Sequence, residues 1–172
     1  MPATFFLKNL PRQKVLEDMA KRYAELKPSA VEAMLTLLRV ASEISARNDA
    51  RMASRKMSQG KFCMLMQLHV EPTARPSPSE LAERMGVARA TITGLLDGLE
   101  RAGHIRRLRP PEDRRSQSIR LTAKGRGFLD KMLPGHYRRI AGLMSRLSEA
   151  ERKTLVALLG KVAAGLKSLE GR

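Results

Sequence analysis

Arginine side chains are concentrated in one short stretch of the sequence, RPPEDRRSQSIRLTAKG, which occupies residues 109–125. Two adjacent prolines restrict the backbone just before an acidic pair and the arginines Arg114 and Arg115. A guanidinium held at the tip of such a loop is suited to a narrow DNA minor groove, whose negative potential attracts it. Asp113 is placed to orient one of these guanidinium groups, although aspartate is also a common turn residue. The stretch therefore predicts a loop that contacts nucleic acid.

A second set of polar side chains precedes this loop in SPSELAERMGVARATITGLLDGLERAG, residues 77–103. Apolar residues recur at helical spacing from Ile92 to Leu99, which predicts that one face of a helix there is buried. The opposite face, near the start of this helix, carries side chains that are small or can form hydrogen bonds, as a major-groove reader needs. These candidate DNA-binding residues are Arg89, Ala90, Thr91, Thr93 and Gly94.

The elements that position both sets form a helix-turn-helix followed by a hairpin. A short helix ends at Gly86, where glycine permits a tight turn, and the second helix ends at Gly103. The segments HIRRLR and SQSIRL then predict two strands, the second with Ile119 and Leu121 on one face and Arg120 on the other. The hairpin places PPEDRR at its tip.

Helices are also predicted on both sides of this region. Ser29, Ser77 and Ser148 are each followed three residues later by glutamate, the pattern of a capping box at a helix start. A further helix is predicted to end near Lys27, before a proline. The nearly all-apolar segment 58–70 predicts a short buried helix. The predicted fold class is therefore mainly α with a small β-wing.

Composition favours duplex DNA as the partner. The chain of 172 residues has 33 Lys and Arg against 17 Asp and Glu, a formal net charge of +16, which indicates a polyanion. Aromatic residues make up only 3%, too few for the stacking platforms of many single-strand binders. No signal peptide, membrane span or amphipathic membrane helix is recognisable, so we expect a cytoplasmic protein that does not bind membranes. The single cysteine, Cys63, fits a reducing compartment.

Residues 76–125 resemble the winged helix-turn-helix of the MarR family of bacterial transcriptional regulators. The similar motifs are S-E-L-A-x-x-x-G-V, L-x-x-L-E-x-x-G-x-I, D-R-R in the wing and R-L-T-x-x-G after it. The resemblance implies a homodimer that acts as a repressor on a roughly palindromic operator, with Arg115 in the minor groove and Asp113 positioning it. It also implies a small aromatic or phenolic effector.

The resemblance further implies a division of the chain into three parts. Residues 1–57 hold an N-terminal extension and a long dimerisation helix, residues 58–125 hold the winged helix-turn-helix, and residues 126–172 hold C-terminal dimerisation helices. At two positions the chain departs from the family pattern, with Ala88 before the recognition helix and Gly94 within it. These departures leave open an alternative, an architectural protein that binds DNA or RNA without sequence preference.

Other chemistries find little support in the sequence. No glycine-rich phosphate loop, metal cluster or activated nucleophile is recognisable, so we predict neither an enzyme nor a cofactor. Cys63 lies in an apolar segment and is interpreted as a packing residue rather than an oxidant sensor. His69, His104 and His136 lack metal-binding spacing. The ten methionines are interpreted as core filling, although they would also suit an effector pocket.

Overall fold

The computed structural model describes residues 9–108 and 117–169. In these ranges the chain is largely helical and contains one two-stranded antiparallel sheet, which confirms the predicted fold class. The elements in chain order are α1 (Gln13–Ala20), α2 (Pro28–Ala53), α3 (Gln59–Val70), α4 (Pro78–Met85), α5 (Arg89–Arg101), β1 (Ile105–Leu108), β2 (Ser118–Leu121), α6 (Ala123–Leu143), α7 (Glu149–Ala164) and a 3₁₀-helix (Gly165–Leu169).

The hydrophobic core lies between α3, α4, α5, the sheet and the first half of α6. Helix α3 provides its centre, because apolar residues cover most of its circumference and Phe62, Met64, Leu65 and Leu68 are all buried. The predicted short buried helix is thereby confirmed. Met132 of α6 is also buried in this cluster, so it and Met64 fill the core.

Two of the three predicted capping boxes are present. The Ser77 N–H donates to Glu80 Oε2 at 2.6 Å, and the Glu80 N–H donates to Ser77 Oγ at 3.2 Å. The hydrogen bonds from Ser77 hold the pKa of Glu80 below its usual value. Ser148 and Glu151 form the same reciprocal pair at the start of α7.

Two predictions about the N-terminal helices are wrong. Ser29 does not cap α2, because the helix begins one residue earlier at Pro28, whose fixed φ and missing N–H suit the first helical position. Helix α1 ends at Ala20 rather than near Lys27. Beyond it the N–H groups of Arg22 and Tyr23 both donate to the Met19 carbonyl, so the chain turns before it reaches α2.

The wing consists of β1 and β2 paired in the register Ile105↔Leu121, Arg106↔Arg120, Arg107↔Ile119 and Leu108↔Ser118. The predicted alternation is confirmed, since Ile119 and Leu121 are buried and Arg120 is exposed. The Ile119 N–H also donates to the carbonyl of Pro76, which ties the sheet to the connector before α4. The hairpin tip, with Asp113, Arg114 and Arg115, lies outside the described residues.

Thr122 and Gly125 join the wing to α6. The Thr122 hydroxyl is 2.7 Å from the Gly103 carbonyl and accepts the Gly125 N–H at 3.0 Å, so it caps α6 and holds the end of α5. The Thr122 N–H donates to the carbonyl of His104 at 3.0 Å. Gly125 lies so close to this strand entry that a methyl group on it would stand 2.1 Å from the His104 oxygen. The threonine and glycine of the R-L-T-x-x-G motif are therefore required by the packing of α6 against the wing.

We expect Gly125→Ala to destabilise the protein, because the added methyl group meets backbone and neither side can move without breaking the junction. Overpacking of this kind costs about 1–3 kcal/mol. The control is Gly127→Ala in the same helix, where a methyl group meets nothing within 4 Å and alanine favours the helix by up to about 1 kcal/mol. Chemical denaturation of both variants measures the difference, and equal stabilities would contradict the packing account.

Candidate nucleic-acid interface

The turn between α4 and α5 fixes how the second helix is presented. Gly86 adopts a left-handed conformation (φ 61°, ψ 36°), and its N–H bonds to the carbonyls at the end of α4. Val87 donates to the Ala82 carbonyl, while the small Ala82 side chain is buried. These contacts produce the helix-turn-helix that the sequence predicts.

Helix α5 buries one face and exposes the other. Ile92, Leu96 and Leu99 are buried in the core, as predicted. The predicted contact residues all lie on the exposed side, and their places in the first turns of α5 bring them together on one surface. They are Arg89, Ala90, Thr91, Thr93 and Gly94.

The start of α5 is open to a negatively charged partner. Ala88 provides no side-chain cap and the first turn contains no acidic residue, so the positive end of the helix dipole is not satisfied by side chains. The Thr93 hydroxyl donates to the Arg89 carbonyl at 3.1 Å, which leaves its methyl group and a lone pair for a partner. At Gly94 an added methyl group would meet nothing within 4 Å, so this part of the surface admits close approach of a ligand.

Arg107 fastens the wing to α5. Its guanidinium bonds to Glu100 at 3.0 Å and to Asp97, and its backbone N–H donates to Glu100 at 3.0 Å. The Arg107 side chain is only 22% exposed, so these bonds are better shielded from water than surface ion pairs. The sequence analysis did not predict this role for Arg107. The sequence nevertheless contained a signal for this ion-pair cluster. Asp97 and Glu100 lie one helical turn apart, just before a strand that contains an arginine.

Arginines that form no ion pair among the described residues surround this region. Arg84 is paired with Glu71 at 2.9 Å, which anchors α4 to the connector that precedes it. Other arginines near the helix-turn-helix and wing are exposed and take part in no ion pair among the described residues. They are Arg75, Arg89, Arg101, Arg106, Arg120 and Arg126.

Cys63 and the histidines are the remaining side chains whose chemistry could form a site. Burial raises the pKa of the Cys63 thiol, and the weak hydrogen bond from Gln59 Nε2 at 3.7 Å offsets only part of this effect. A raised pKa favours the protonated thiol, which is the less reactive form. Over residues 9–108 and 117–169, no three His, Cys, Asp or Glu side chains are grouped to hold a metal ion. Nor do those residues include a helix long and apolar enough to span a membrane.

Together the fold and the exposed face of α5 define a winged helix-turn-helix protein. The MarR family model matches residues 57–117. The HTH-type transcriptional repressor YetL of Bacillus subtilis is 40% identical over 154 residues, which cover 90% of this chain and 92% of YetL. The HTH-type transcriptional regulator PecS of Dickeya dadantii is 32% identical over 158 residues, covering 89% and 95% of the two chains. This chain therefore belongs to the MarR family of transcriptional regulators, as the sequence motifs predicted.

Solved structures agree on the fold. The Staphylococcus aureus MepR–DNA complex contains a chain that superimposes with a TM-score of 0.68, over 77% of this chain and 95% of MepR, at 22% identity. The transcriptional regulator SlyA gives a TM-score of 0.66 at 18% identity, over 79% and 94% of the two chains. Family and relatives are regulators rather than enzymes.

We expect Arg107→Met to loosen the wing, because it leaves Asp97 and Glu100 as two unpaired acids on neighbouring turns of α5. The loss of stability should be on the order of 1 kcal/mol, since the partners are partly exposed. Hydrogen exchange should become faster in β1 and β2. The control is Arg106→Met on the opposite face of the same strand, and an equal effect of both variants would contradict the anchoring role.

Proposed function

We propose that this protein is a repressor that binds one double-stranded DNA sequence as a homodimer in the cytoplasm and is released by a small aromatic or phenolic effector. The observation that carries the proposal is the exposed first half of α5, with its small and hydrogen-bonding side chains and no acid in its first turn. The relative YetL is a repressor by name, and the structure of MepR is that of a DNA complex, which supports the same role here.

Each predicted contact residue has a role that follows from its chemistry. Arg89 donates to a guanine edge or to a phosphate, and Thr91 and Thr93 contact phosphates or thymine methyl groups. Ala90 and Gly94 let the helix approach the base edges closely because they project little or nothing. These assignments place α5 in the major groove.

The hairpin tip supplies the minor-groove contact in this proposal. Arg115 enters the groove, Asp113 positions its guanidinium, and Arg114 contributes charge beside it. Support comes from the observed sheet, since β1 and β2 hold the two ends of the loop side by side at the pair Leu108↔Ser118. The clamp from Arg107 to α5 keeps the wing in a fixed relation to the recognition helix.

The homodimer is supported by apolar surface that one chain leaves uncovered. Helix α7 has 16 residues and none of them is buried, although a helix of this length needs tertiary packing to be stable. A trough between α2 and α7 is lined largely by apolar side chains. Its large apolar residues are Leu37, Val40, Leu155, Leu158, Leu159 and Val162. A second copy would cover this surface, and its two-fold symmetry would require a palindromic operator with half-sites about one helical turn apart.

The effector site in this proposal is a cavity of about 250 Å³ between α2 and α6. Ile44, Ile140 and Leu143 give it an apolar lining, and Arg51 and Arg139 give it positive charge. Desolvation, and after it the charges of nearby arginines, lowers the pKa of Arg139. A carboxylate or phenolate would relieve this repulsion while its ring contacts the apolar wall, so a small aromatic acid or phenol fits.

Selection of bound fragments from a random duplex pool, at physiological salt, tests the sequence preference. We expect an enriched palindrome with half-sites about one turn apart. Thr93→Ala should change the preferred sequence, whereas the control Arg146→Ala, far from α5 in sequence and exposed, should return the same one. Tight binding without an enriched motif would instead favour the architectural alternative, with Ala88 and Gly94 as its physical reason.

The dimer is tested by Leu158→Glu, which places a charge in the uncovered trough, where Leu158 is 52% exposed. We expect the variant to sediment as a monomer at concentrations where the parent protein is a dimer, because a buried unpaired carboxylate is costly. The control is Val70→Glu at the end of α3, 71% exposed and away from the trough. A monomeric parent protein, or an unaffected Leu158→Glu dimer, would contradict this interface.

A further inference from the structure

Two arginines face each other across the wing on the side turned away from the core. Arg106 and Arg120 are direct cross-strand partners and both are exposed, while the pair Ile105 and Leu121 next to them is buried. Like charges directly opposite in a sheet weaken strand pairing. Within residues 9–108 and 117–169 neither arginine forms an ion pair with an acidic residue. An anion bound beside both arginines would neutralise their charges and remove this repulsion.

A third arginine completes the cluster. Arg126, in the first turn of α6, donates from Nη1 to the Leu121 carbonyl at 3.1 Å, which holds its guanidinium at the end of β2. The three arginines line an open cavity with a volume of about 270 Å³, together with Leu121, Thr122 and Ala123. No acidic residue is among the described residues that line it. Planar guanidinium groups converging on one concavity match the oxygen atoms of a phosphate.

We propose that Arg106, Arg120 and Arg126 form a phosphate-binding site on the outer face of the wing, and that it holds a backbone phosphate of bound DNA. This proposal rests on the DNA-binding function proposed above. It adds a contact that belongs neither to α5 nor to the hairpin tip. Because a phosphate carries no base identity, the site contributes affinity and orientation but no sequence preference.

The position of the cluster favours DNA as the source of the phosphate. Arg106 and Arg120 lie on the two strands that lead into and out of the hairpin tip. In the proposed function that tip enters the minor groove, which is about 6 Å wide and bordered by the two phosphate backbones. Strands that cross such a border on their way to the tip bring their outer face towards backbone phosphates. Arg107, on the other face, is neutralised by Asp97 and Glu100 and cannot take this role.

The test compares three double variants of the full-length protein. Arg106→Gln with Arg120→Gln removes the cluster's charge pair, and the corresponding double lysine variant keeps the charge. The control, Arg22→Gln with Arg146→Gln, removes the same net charge at exposed positions outside the wing. The measured quantity is the slope of log affinity against log salt concentration, for the selected operator and for an unrelated duplex.

We expect the double glutamine substitution to reduce the magnitude of the slope of log affinity against log salt concentration by about 1 to 2. It should also weaken binding about ten-fold at 0.1 M salt. The loss should be equal for both duplexes, and the lysine variant should restore most of the slope. The melting temperature of the double glutamine variant should not fall, because the substitution removes a repulsive pair. The control should keep the slope of the parent protein.

Other outcomes overturn the proposal in distinguishable ways. If the parent protein binds DNA with a steep salt dependence and the double glutamine variant has the same slope, the phosphate site fails while the proposed function stands. If the parent protein binds no duplex in a salt-dependent way, the proposed function fails and this site with it. If calorimetry shows that inorganic phosphate binds the cluster tightly while the DNA slope is unaffected by the variant, the site serves a free phosphorylated ligand rather than DNA.

Discussion

The close contact between Gly125 and the His104 carbonyl is the constraint on which the arrangement of the other elements depends. It brings the start of α6 against the entry of β1, and Thr122 binds the end of α5 at the same point. Three elements with different proposed tasks therefore meet within one hydrogen-bonded junction. The start of α6 is therefore tied to both the wing and the C-terminal end of α5. In the proposed function an effector bound between α2 and α6 acts on DNA binding through this junction.

Burial and partners, rather than residue type, separate the roles of the wing's arginines. Arg106 and Arg107 are neighbours in sequence, but the strand turns them to opposite faces. Arg107 meets two carboxylates of α5 and stabilises the fold, whereas Arg106 meets Arg120 and remains available to an anion. A count of arginines alone therefore overstates the positive charge available to DNA, because arginines in structural ion pairs are already neutralised.

The sequence predicted the elements whose signals are local. The apolar period of α5, the alternation of β2, the glycine of the turn and the reciprocal caps at Ser77 and Ser148 depend on neighbours within a few residues. The predicted capping box at Ser29 was wrong because the adjacent Pro28 determines where the helix starts more strongly than a serine does. The partners of Arg107 and the close approach at Gly125 were not predicted, because they depend on how helices and strands pack. The roles of Asp113, Arg114 and Arg115, and the three-part division of the chain, stay predictions.

The open surface at Gly94 has a consequence for how DNA recognition can diverge among relatives of this protein. A side chain introduced there would project from α5 without touching the core, and it would remove the penalty of up to about 1 kcal/mol that glycine imposes on a helix. A substitution at this position is therefore expected to make the protein more stable, although most changes at functional sites reduce stability. In the proposed function a larger side chain at Gly94 would exchange the close approach of α5 to DNA for a contact of its own, and the stability of the fold would not oppose that exchange.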